Sequence, residues 1–293
     1  MIFRNYNPSS DYQAINTLLM ATYSENRMYH NWLQSRWEYM NFHPAIKSLD
    51  LTKAIVLEND SKVIGIIHPE HEMGTAFIQI DPLFTSQRYQ LLRKAEKVLS
   101  STSDKTISIF INPLDTELED FARALGYSKD DSHASYMLEL ETVSIAASSE
   151  LPPRFKLKIL QDANNLSKIS KVIHRGFNHP GEPPPNHVND ILFMQSAPSF
   201  RKDLTIVIES PEGAFATYCG ILFEHVNHFA YIEPVATDPN YRRMGLGKIA
   251  VLEAIRQSTK QGAKKAFVGS GQSFYRNIGF KEKYQEYLWT LKC

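Results

Sequence analysis

The sequence lacks three features, each of which would have indicated a class of protein. Lys plus Arg and Asp plus Glu both number 32 among 293 residues, so the formal net charge is zero and the basic excess typical of nucleic-acid binding is missing. Two cysteines, Cys219 and Cys293, are too few for a disulfide framework and predict a reducing, cytoplasmic setting. No apolar run approaches the roughly 18 residues of a membrane helix, and MIFRNYNPSS contains no signal-peptide core. We therefore expect a cytoplasmic protein that binds neither nucleic acid nor membrane.

The pattern of apolar and turn residues predicts one order of strands and helices twice. Ile55, Gly65, Ala76, Gly126 and Tyr136 each have an identical residue between 151 and 155 positions later in the chain. A near-constant offset through five elements indicates an internal duplication. Between the copies, ETVSIAASSELPP is rich in small residues and ends in two prolines, which is typical of a linker. We expect an α/β fold of two tandem domains, 1–145 and 152–293, each a twisted mixed sheet flanked by helices, with the boundary near 142–153.

The stretch DPNYRRMGLGKIAVLEAI follows a predicted strand and opens a predicted helix. The first N–H groups of a helix have no intrahelical partner, and the helix dipole makes that end partly positive, so such a start binds anions. Gly245 and Gly247 allow a phosphate to approach the backbone closely, and Arg242, Arg243 and Lys248 add charge. The alternative is an ordinary helix start with solvated basic residues.

Two familiar phosphate loops do not fit this stretch. A Walker A loop needs Ser or Thr after its Lys, and Ile249 follows Lys248 here. The letters from Gly245 to Ala250 match the Rossmann fingerprint, which also needs an acidic residue roughly 20 positions later. Between Glu253 and Glu282 there is no Asp or Glu.

From about Pro152 onward the chain resembles the Gcn5-related N-acetyltransferase (GNAT) family. Arg242-Arg243-Met244-Gly245-Leu246-Gly247 matches the family's Arg/Gln-x-x-Gly-x-Gly/Ala motif, and FYRNIGF, one strand later, matches another familiar element. The first half resembles the same fold in element order only. The resemblance implies two tandem GNAT-like domains, acetyl-CoA as co-substrate and no metal.

In this family the pyrophosphate lies on the loop N–H groups and the pantetheine arm runs along the preceding strand. Pro234 gives local support, because a proline within a sheet belongs at an edge, bulge or splay. We expect the arm to enter a splay between YIEPVAT and KAFVGS. The residues that the resemblance assigns to the co-substrate are Val235, Ala236, Thr237, Arg242, Arg243, Met244, Gly245, Leu246, Gly247 and Lys248.

Amide formation from a thioester requires a base for the amine, donors for the oxyanion and an acid for the departing thiolate. Tyr275 is the candidate acid, since the family commonly has a tyrosine there and a phenol near pKa 10 can protonate a thiolate. Glu233 is the candidate base, directly or through a water, on a strand face shared with Tyr231, Val235 and Thr237. The oxyanion donor would be a backbone N–H near Val235. The alternatives are a packed aromatic residue and a solvated or ion-paired carboxylate.

The other reactive side chains are less informative. The histidines of HPEHE (His68–Glu72) and HVNH (His225–His228) are three apart and lie between strands, so we interpret both as turns and not as metal sites. Cys219 lies in an apolar strand, which raises a thiol pKa, so it is not a predicted nucleophile.

The first copy lacks the equipment of the second. Gln79 and Ala122 stand where Glu233 and Tyr275 stand, and DPLFTSQRYQLL has no glycine. We therefore expect a non-catalytic first domain, which is structural or shapes the substrate cleft, and one acetyl-CoA per chain.

Substrate choice is expected to fall to HRGFNHPGEPPPNHVNDILF, in which His179, Glu182 and His187 have no assigned role. The predicted function is acetyl transfer to a primary amine of a small molecule or peptide, by direct attack in a ternary complex. The alternative is a non-catalytic acyl-CoA-binding or interaction protein. The acceptor, the acyl chain length and the oligomeric state stay open.

Overall fold

One mixed sheet of twelve strands runs through the residues that the computed structural model describes, which are 1–24, 31–101, 103–144 and 150–292. Part of the predicted linker, residues 145–149, and Cys293 lie outside these residues. The strands are β1 (Ile2–Asn5), β2 (Ile55–Asn59), β3 (Lys62–His68), β4 (Thr75–Ile80), β5 (Thr106–Ile111), β6 (Ser128–Glu141), β7 (Lys156–Ile159), β8 (Ile206–Glu209), β9 (Phe215–Glu224), β10 (Phe229–Thr237), β11 (Lys265–Val268) and β12 (Lys281–Lys292).

Helices cover both faces of this sheet. They are α1 (Pro8–Thr22), α2 (Gln34–Phe42), α3 (Arg88–Val98), α4 (Thr116–Leu125), α5 (Leu160–Ala163), α6 (Leu166–Gly176), α7 (His187–Met194), α8 (Leu246–Lys260) and α9 (Ser273–Asn277). None of the helices in the described part of the chain combines the length and apolar character that a membrane crossing needs.

The two halves repeat one order of elements, as the sequence predicts. β1 to β6 correspond to β7 to β12, and the duplicated residues fall in matching places: Ile55 opens β2 and Ile206 opens β8. Gly126 and Gly279 both have positive φ, at 91° and 110°, just after α4 and α9. The predicted mixed α/β class is confirmed.

The last strands of the two halves are exchanged, which the sequence did not predict. In the sheet order β1-β2-β3-β4-β5-β12-β6-β11-β10-β9-β8-β7, β12 lies between β5 and β6, and β6 lies beside β11. Trp289 on β12 is therefore buried in the apolar core of the first half. Leu138 and Leu140 on β6 are likewise buried in the core of the second half. Each half completes the core of the other.

β10 separates from its parallel neighbour in the way that the sequence predicts. It pairs with β11 from Phe229 to Tyr231 and then continues to Thr237. Its antiparallel pairing with β9 has a register shift between Ile232 and Val235, where the Glu233–Pro234 peptide is cis. A Cβ on Gly220 of β9 would lie 2.5 Å from the Glu233 carbonyl oxygen, so glycine allows this close approach.

The bulge corrects one prediction about β10. Tyr231, Glu233, Val235 and Thr237 were expected on one face, because side chains alternate along a regular strand. Between the pairs Ile232–Ile221 and Val235–Cys219, two residues of β10 stand opposite the single residue Gly220 of β9, so the alternation changes phase there. Tyr231 packs in one cluster with residues of α2 and the preceding loop, whereas Val235 packs against the core under α8 on the opposite face.

Candidate active site

The glycine loop forms an open helix start. Gly245 has a left-handed conformation, with φ 79° and ψ −2°, and caps α8 without a side-chain hydrogen bond. Ile249 N–H, which donates to the Gly245 carbonyl at 3.1 Å, is where the helical bonding begins. The N–H groups before Ile249 belong to the first helical turn, which has no intrahelical acceptors. This end of α8 has the polarity and geometry that favour an anion.

The basic residues of the loop have different roles. Arg242 ties the loop to the fold, because its Nε donates to the Thr237 carbonyl at 3.2 Å and its Nη2 donates to the Gly176 carbonyl at 2.8 Å. The side chains of Arg243 and Lys248 are exposed. Leu246 is buried in the core under α8, so it can serve a ligand only through its backbone.

A cleft of about 800 Å³ runs beside this loop, between β10 and α9. The side chain of Ala236 is buried under α6, where a Cβ on Gly176 would come within 2.7 Å of it. A Cβ on Gly247 would lie 3.3 Å from Thr237 Oγ1 and 3.4 Å from Phe274 Cζ, so the wall is tight there. Of the ten residues assigned to the co-substrate, those that line the cleft are Val235, Thr237, Arg242, Arg243, Gly245, Leu246, Gly247 and Lys248; Ala236 and Met244 do not.

Tyr275 lines the same cleft from α9 and is 7% exposed. Its ring contacts Phe274 and Phe280, with centroids 4.9 and 5.7 Å away. Burial raises the pKa of the phenol well above its usual value, and the negative charge of Glu233 raises it further. The hydroxyl therefore keeps its proton at neutral pH, as an acid must before it acts.

Glu233 lines a second cavity, of about 640 Å³. Burial raises the pKa of this carboxyl to about 7; the charge of Glu70 also raises it and the charge of Arg36 lowers it. A base with a pKa near the working pH combines an available lone pair with useful basicity. Phe177 lines both this cavity and the cleft, so the two spaces adjoin beside β10.

The first half supplies one wall of the cavity, including residues that sequence reasoning missed. Arg36 Nε and Nη2 donate to Glu70 Oε1 and Oε2 at 3.0 and 2.8 Å. The Arg36 guanidinium also lies 3.9 Å from the centroid of the Trp32 ring. Tyr39, His43 and the loop after β3 complete this wall. Glu70 belongs to HPEHE, for which the sequence predicts only a turn, and no local pattern links it to Glu233.

The second half supplies the opposite wall from the predicted acceptor segment. His179 and His187 both line the cavity. Asp190 on α7 joins the walls through an ion pair with Lys47 of the first half, at 2.8 Å. Glu182, the third candidate in this segment, does not line the cavity and instead pairs with Lys171 at the surface.

The metal and nucleophile alternatives gain no support. Within residues 1–24, 31–101, 103–144 and 150–292, no group of three or more His, Cys, Asp or Glu could hold a metal ion. His68 is buried, and its ring bonds to the Pro69 carbonyl and to Gln79. Burial raises the pKa of the Cys219 thiol well above its usual value, so the reactive thiolate is disfavoured.

In the first half, the place equivalent to the splay is filled by the chain itself. β4 pairs with β5 only at Thr75 and Ala76 and then continues to Ile80. The Asn31 side chain accepts from Ile80 N–H and donates to the Ile80 carbonyl, both at 2.8 Å, as a neighbouring strand would. Gln79 is buried and accepts a hydrogen bond from Trp32 N–H at 2.7 Å.

The stretch of the first half that stands in place of the glycine loop also makes contacts within the protein. A 3₁₀ helix spans Pro82–Gln87, and Arg88, which follows it, is 5% exposed and forms a bidentate ion pair with Asp115. Ala122, at the position of Tyr275, is fully buried.

Comparison with known proteins gives one family match and several similar solved structures. Residues 174–284 match the sequence model of the acetyltransferase (GNAT) family. No curated protein matches the sequence. Similar solved structures include a GCN5-related N-acetyltransferase from Sphaerobacter thermophilus (15% identity, 99% of this chain and 95% of that one, TM-score 0.66). A tandem GNAT protein from the clavulanic acid biosynthesis pathway is also similar (13% identity, 99% of this chain and 98% of that one, TM-score 0.66). So is a GNAT-family acetyltransferase from Colwellia psychrerythraea (11% identity, 100% of both chains, TM-score 0.63). At such low identity these likenesses establish the fold, and they cover both halves.

Proposed function

Because residues 174–284 carry a GNAT-family domain, we propose that this protein is an N-acetyltransferase that moves an acetyl group from acetyl-CoA to a primary amine by direct attack in a ternary complex. The observation that carries the proposal is the meeting of two spaces at β10. The cleft beside the glycine loop contains Tyr275, and the adjoining cavity contains Glu233. A donor and an acceptor can therefore enter from different sides and meet at one strand.

The cleft fits acetyl-CoA in three respects. The start of α8 suits a pyrophosphate, Arg243 and Lys248 offer exposed positive charges, and the open edge of β10 after Tyr231 suits an extended amide-containing arm. Val235 and Thr237 lie along that edge. When bound, acetyl-CoA supplies an acetyl group activated as a thioester.

The protein's own residues then handle the protons. The Glu233 carboxylate accepts a proton from the acceptor's ammonium or from the attacking amine, directly or through a water. The Tyr275 hydroxyl donates a proton to the departing sulfur. A β10 backbone N–H near Val235, on the edge that has left β11, is the donor for the developing negative oxygen.

The proposal assigns one active site to each chain. We assign the chemistry to a second domain, residues 152–293, and treat residues 1–145 as a domain that forms one wall of the acceptor cavity. Asn31 and Trp32 occupy the position in the first half where an arm would pair with β4. The proposed acceptor is a small-molecule or peptide amine. The proposed setting is the cytoplasm, as the low cysteine content predicts.

The test is steady-state thiol release from acetyl-CoA over a panel of primary amines, with Tyr275→Phe compared to wild type. Removing the hydroxyl should lower turnover by roughly 100-fold while acetyl-CoA affinity, measured by calorimetry, is retained. Tyr127→Phe is the matched control, because it removes a hydroxyl from another buried tyrosine, 4% exposed, in the first-half core. Acetyl-CoA binding without turnover on any amine would favour the alternative, a non-catalytic acyl-CoA-binding protein. Full turnover by Tyr275→Phe, with chemistry limiting the rate, would remove the acid role.

A further inference from the structure

An ion pair from the first half lies in the same cavity as Glu233. Arg36 on α2 and Glu70 after β3 both line that cavity. Their side chains are 14% and 16% exposed, and two hydrogen bonds join them in a bidentate arrangement. The guanidinium is fixed further by the rings of Trp32 and Phe77, at 3.9 and 5.1 Å. Both charges are thus held in place beside the cavity and are little screened by solvent.

A pair of this kind has two possible roles. It could hold α2 against the loop after β3, in which case a neutral pair of similar shape would serve equally well. It could also act through its charges, in which case the ionisation of a neighbouring group would depend on both partners. Buried ion pairs are weak stabilisers, since the cost of removing two charges from water offsets their attraction. Stability alone therefore does not account for its position.

We propose that the Arg36–Glu70 pair of the first half belongs to the acetyl-transfer site, where its two fixed charges act on Glu233 across the shared cavity. This inference rests on the proposed function, in which Glu233 is the base. It makes the degenerate half a contributor to the reaction through positioning residues that do not touch the transferred group.

The two charges act on Glu233 in opposite directions. The Glu70 carboxylate raises the pKa of Glu233, the Arg36 guanidinium lowers it, and the effect of Glu70 is the larger. Neutralising Glu70 alone removes the repulsion and leaves the charge of Arg36 unbalanced, so both changes lower the pKa. Neutralising both partners leaves mainly the effect of burial, so the pKa should return most of the way to its wild-type value.

The other titratable groups around Glu233 carry little charge near neutral pH. Burial raises the pKa of four neighbouring side chains well above their usual values, so these side chains stay neutral. They are Tyr39 on α2, Tyr231 on β10, Cys219 on β9 and Tyr275 on α9.

The histidines and the aspartate of the cavity complete this account. Burial lowers the pKa of His43 to about 4 and also lowers that of His187, so both rings are neutral. Asp190 is balanced by Lys47. His71 and His179 are exposed at the mouth, where solvent screens them.

The experiment measures the pKa of Glu233 by carboxyl NMR titration of the full-length protein, with the Glu233 signal assigned by its loss in Glu233→Gln. The wild-type value should be about 7. Glu70→Gln should lower it by about one pH unit or more. Arg36→Gln combined with Glu70→Gln should restore most of the difference, because both charges are then removed and the effect of burial remains. Glu72→Gln, an exposed carboxylate in the same loop, should leave the value unchanged.

The acid limb of kcat/KM for acetyl transfer should move with these values, while melting temperatures report whether each variant is folded. An unchanged or raised pKa in Glu70→Gln, or an equal drop in the double variant, would overturn the proposal. Full activity in Glu233→Gln would refute the base role. Because the titration does not depend on turnover, the pKa values would still decide whether the pair acts on this carboxyl.

Discussion

Glu233→Gln should stabilise the protein while it lowers turnover, and the gain in stability should grow with pH. The folded-state pKa of about 7 lies above the ordinary glutamate value of 4.5 because burial opposes ionisation. Between those values the folded state holds the proton more tightly than the unfolded state, so wild-type stability falls as pH rises through this window. A difference of about 2.5 pH units corresponds to about 3 kcal/mol. Gln removes that penalty, so the gain should be about 3 kcal/mol at pH 8 and under about 1 kcal/mol at pH 5.

Urea denaturation of wild type and variant at pH 5 and pH 8 measures this difference. Glu286→Gln is the matched control: burial also raises the pKa of this β12 carboxyl to about 7, so the same pH-dependent gain is expected with turnover retained. If Glu233→Gln is no more stable than wild type at pH 8, the carboxyl is not strained by burial. A gain that is the same at both pH values would have another cause, such as better packing of the amide.

Two further predictions concern the co-substrate. Gly247→Trp should abolish acetyl-CoA binding in calorimetry, because Gly247 lines the cleft beside the glycine loop and an indole there would occupy it. Gln90→Trp, at the same distance along the chain from the Asp-Pro turn of the first half and exposed on α3, should bind normally. Calorimetry of wild type should also give one acetyl-CoA per chain, because Asn31 occupies the edge of β4 at Ile80, and two equivalent sites would contradict the assignment of the first half.

Features encoded by neighbouring residues could be predicted from the sequence. Helix α4 carries the signals for both of its ends in its own sequence: the Asp115 side chain accepts from Leu118 N–H, and Gly126 ends the helix in a left-handed conformation. The glycine loop and the splay of β10 were also predicted. Helix α1 also begins at a local signal, because Asn7 caps the helix and Pro8 occupies its first turn.

Features that depend on contact between the halves left no such signal. Arg36 and Glu70 are separated from Glu233 by more than half the chain. The residues around Arg36 are ordinary for a helix and those around Glu70 are ordinary for a turn, so neither stretch indicates a site. The phase of β10 changed because the bulge at Glu233–Pro234 inserts one residue, and a bulge cannot be read from alternation that assumes a regular strand.

The exchange of last strands makes each half necessary to the fold of the other. Trp289, contributed by the second half, is buried in the first-half core, and Leu138, contributed by the first half, is buried in the second. A chain without its first half would lose β6 and leave the edge of β11 unpaired beside the splay. Such an edge is prone to pairing with other chains. The fold of the second half therefore requires the first half, whether or not the first half binds a ligand. The same packing places Arg36 of α2 in the cavity that Glu233 lines.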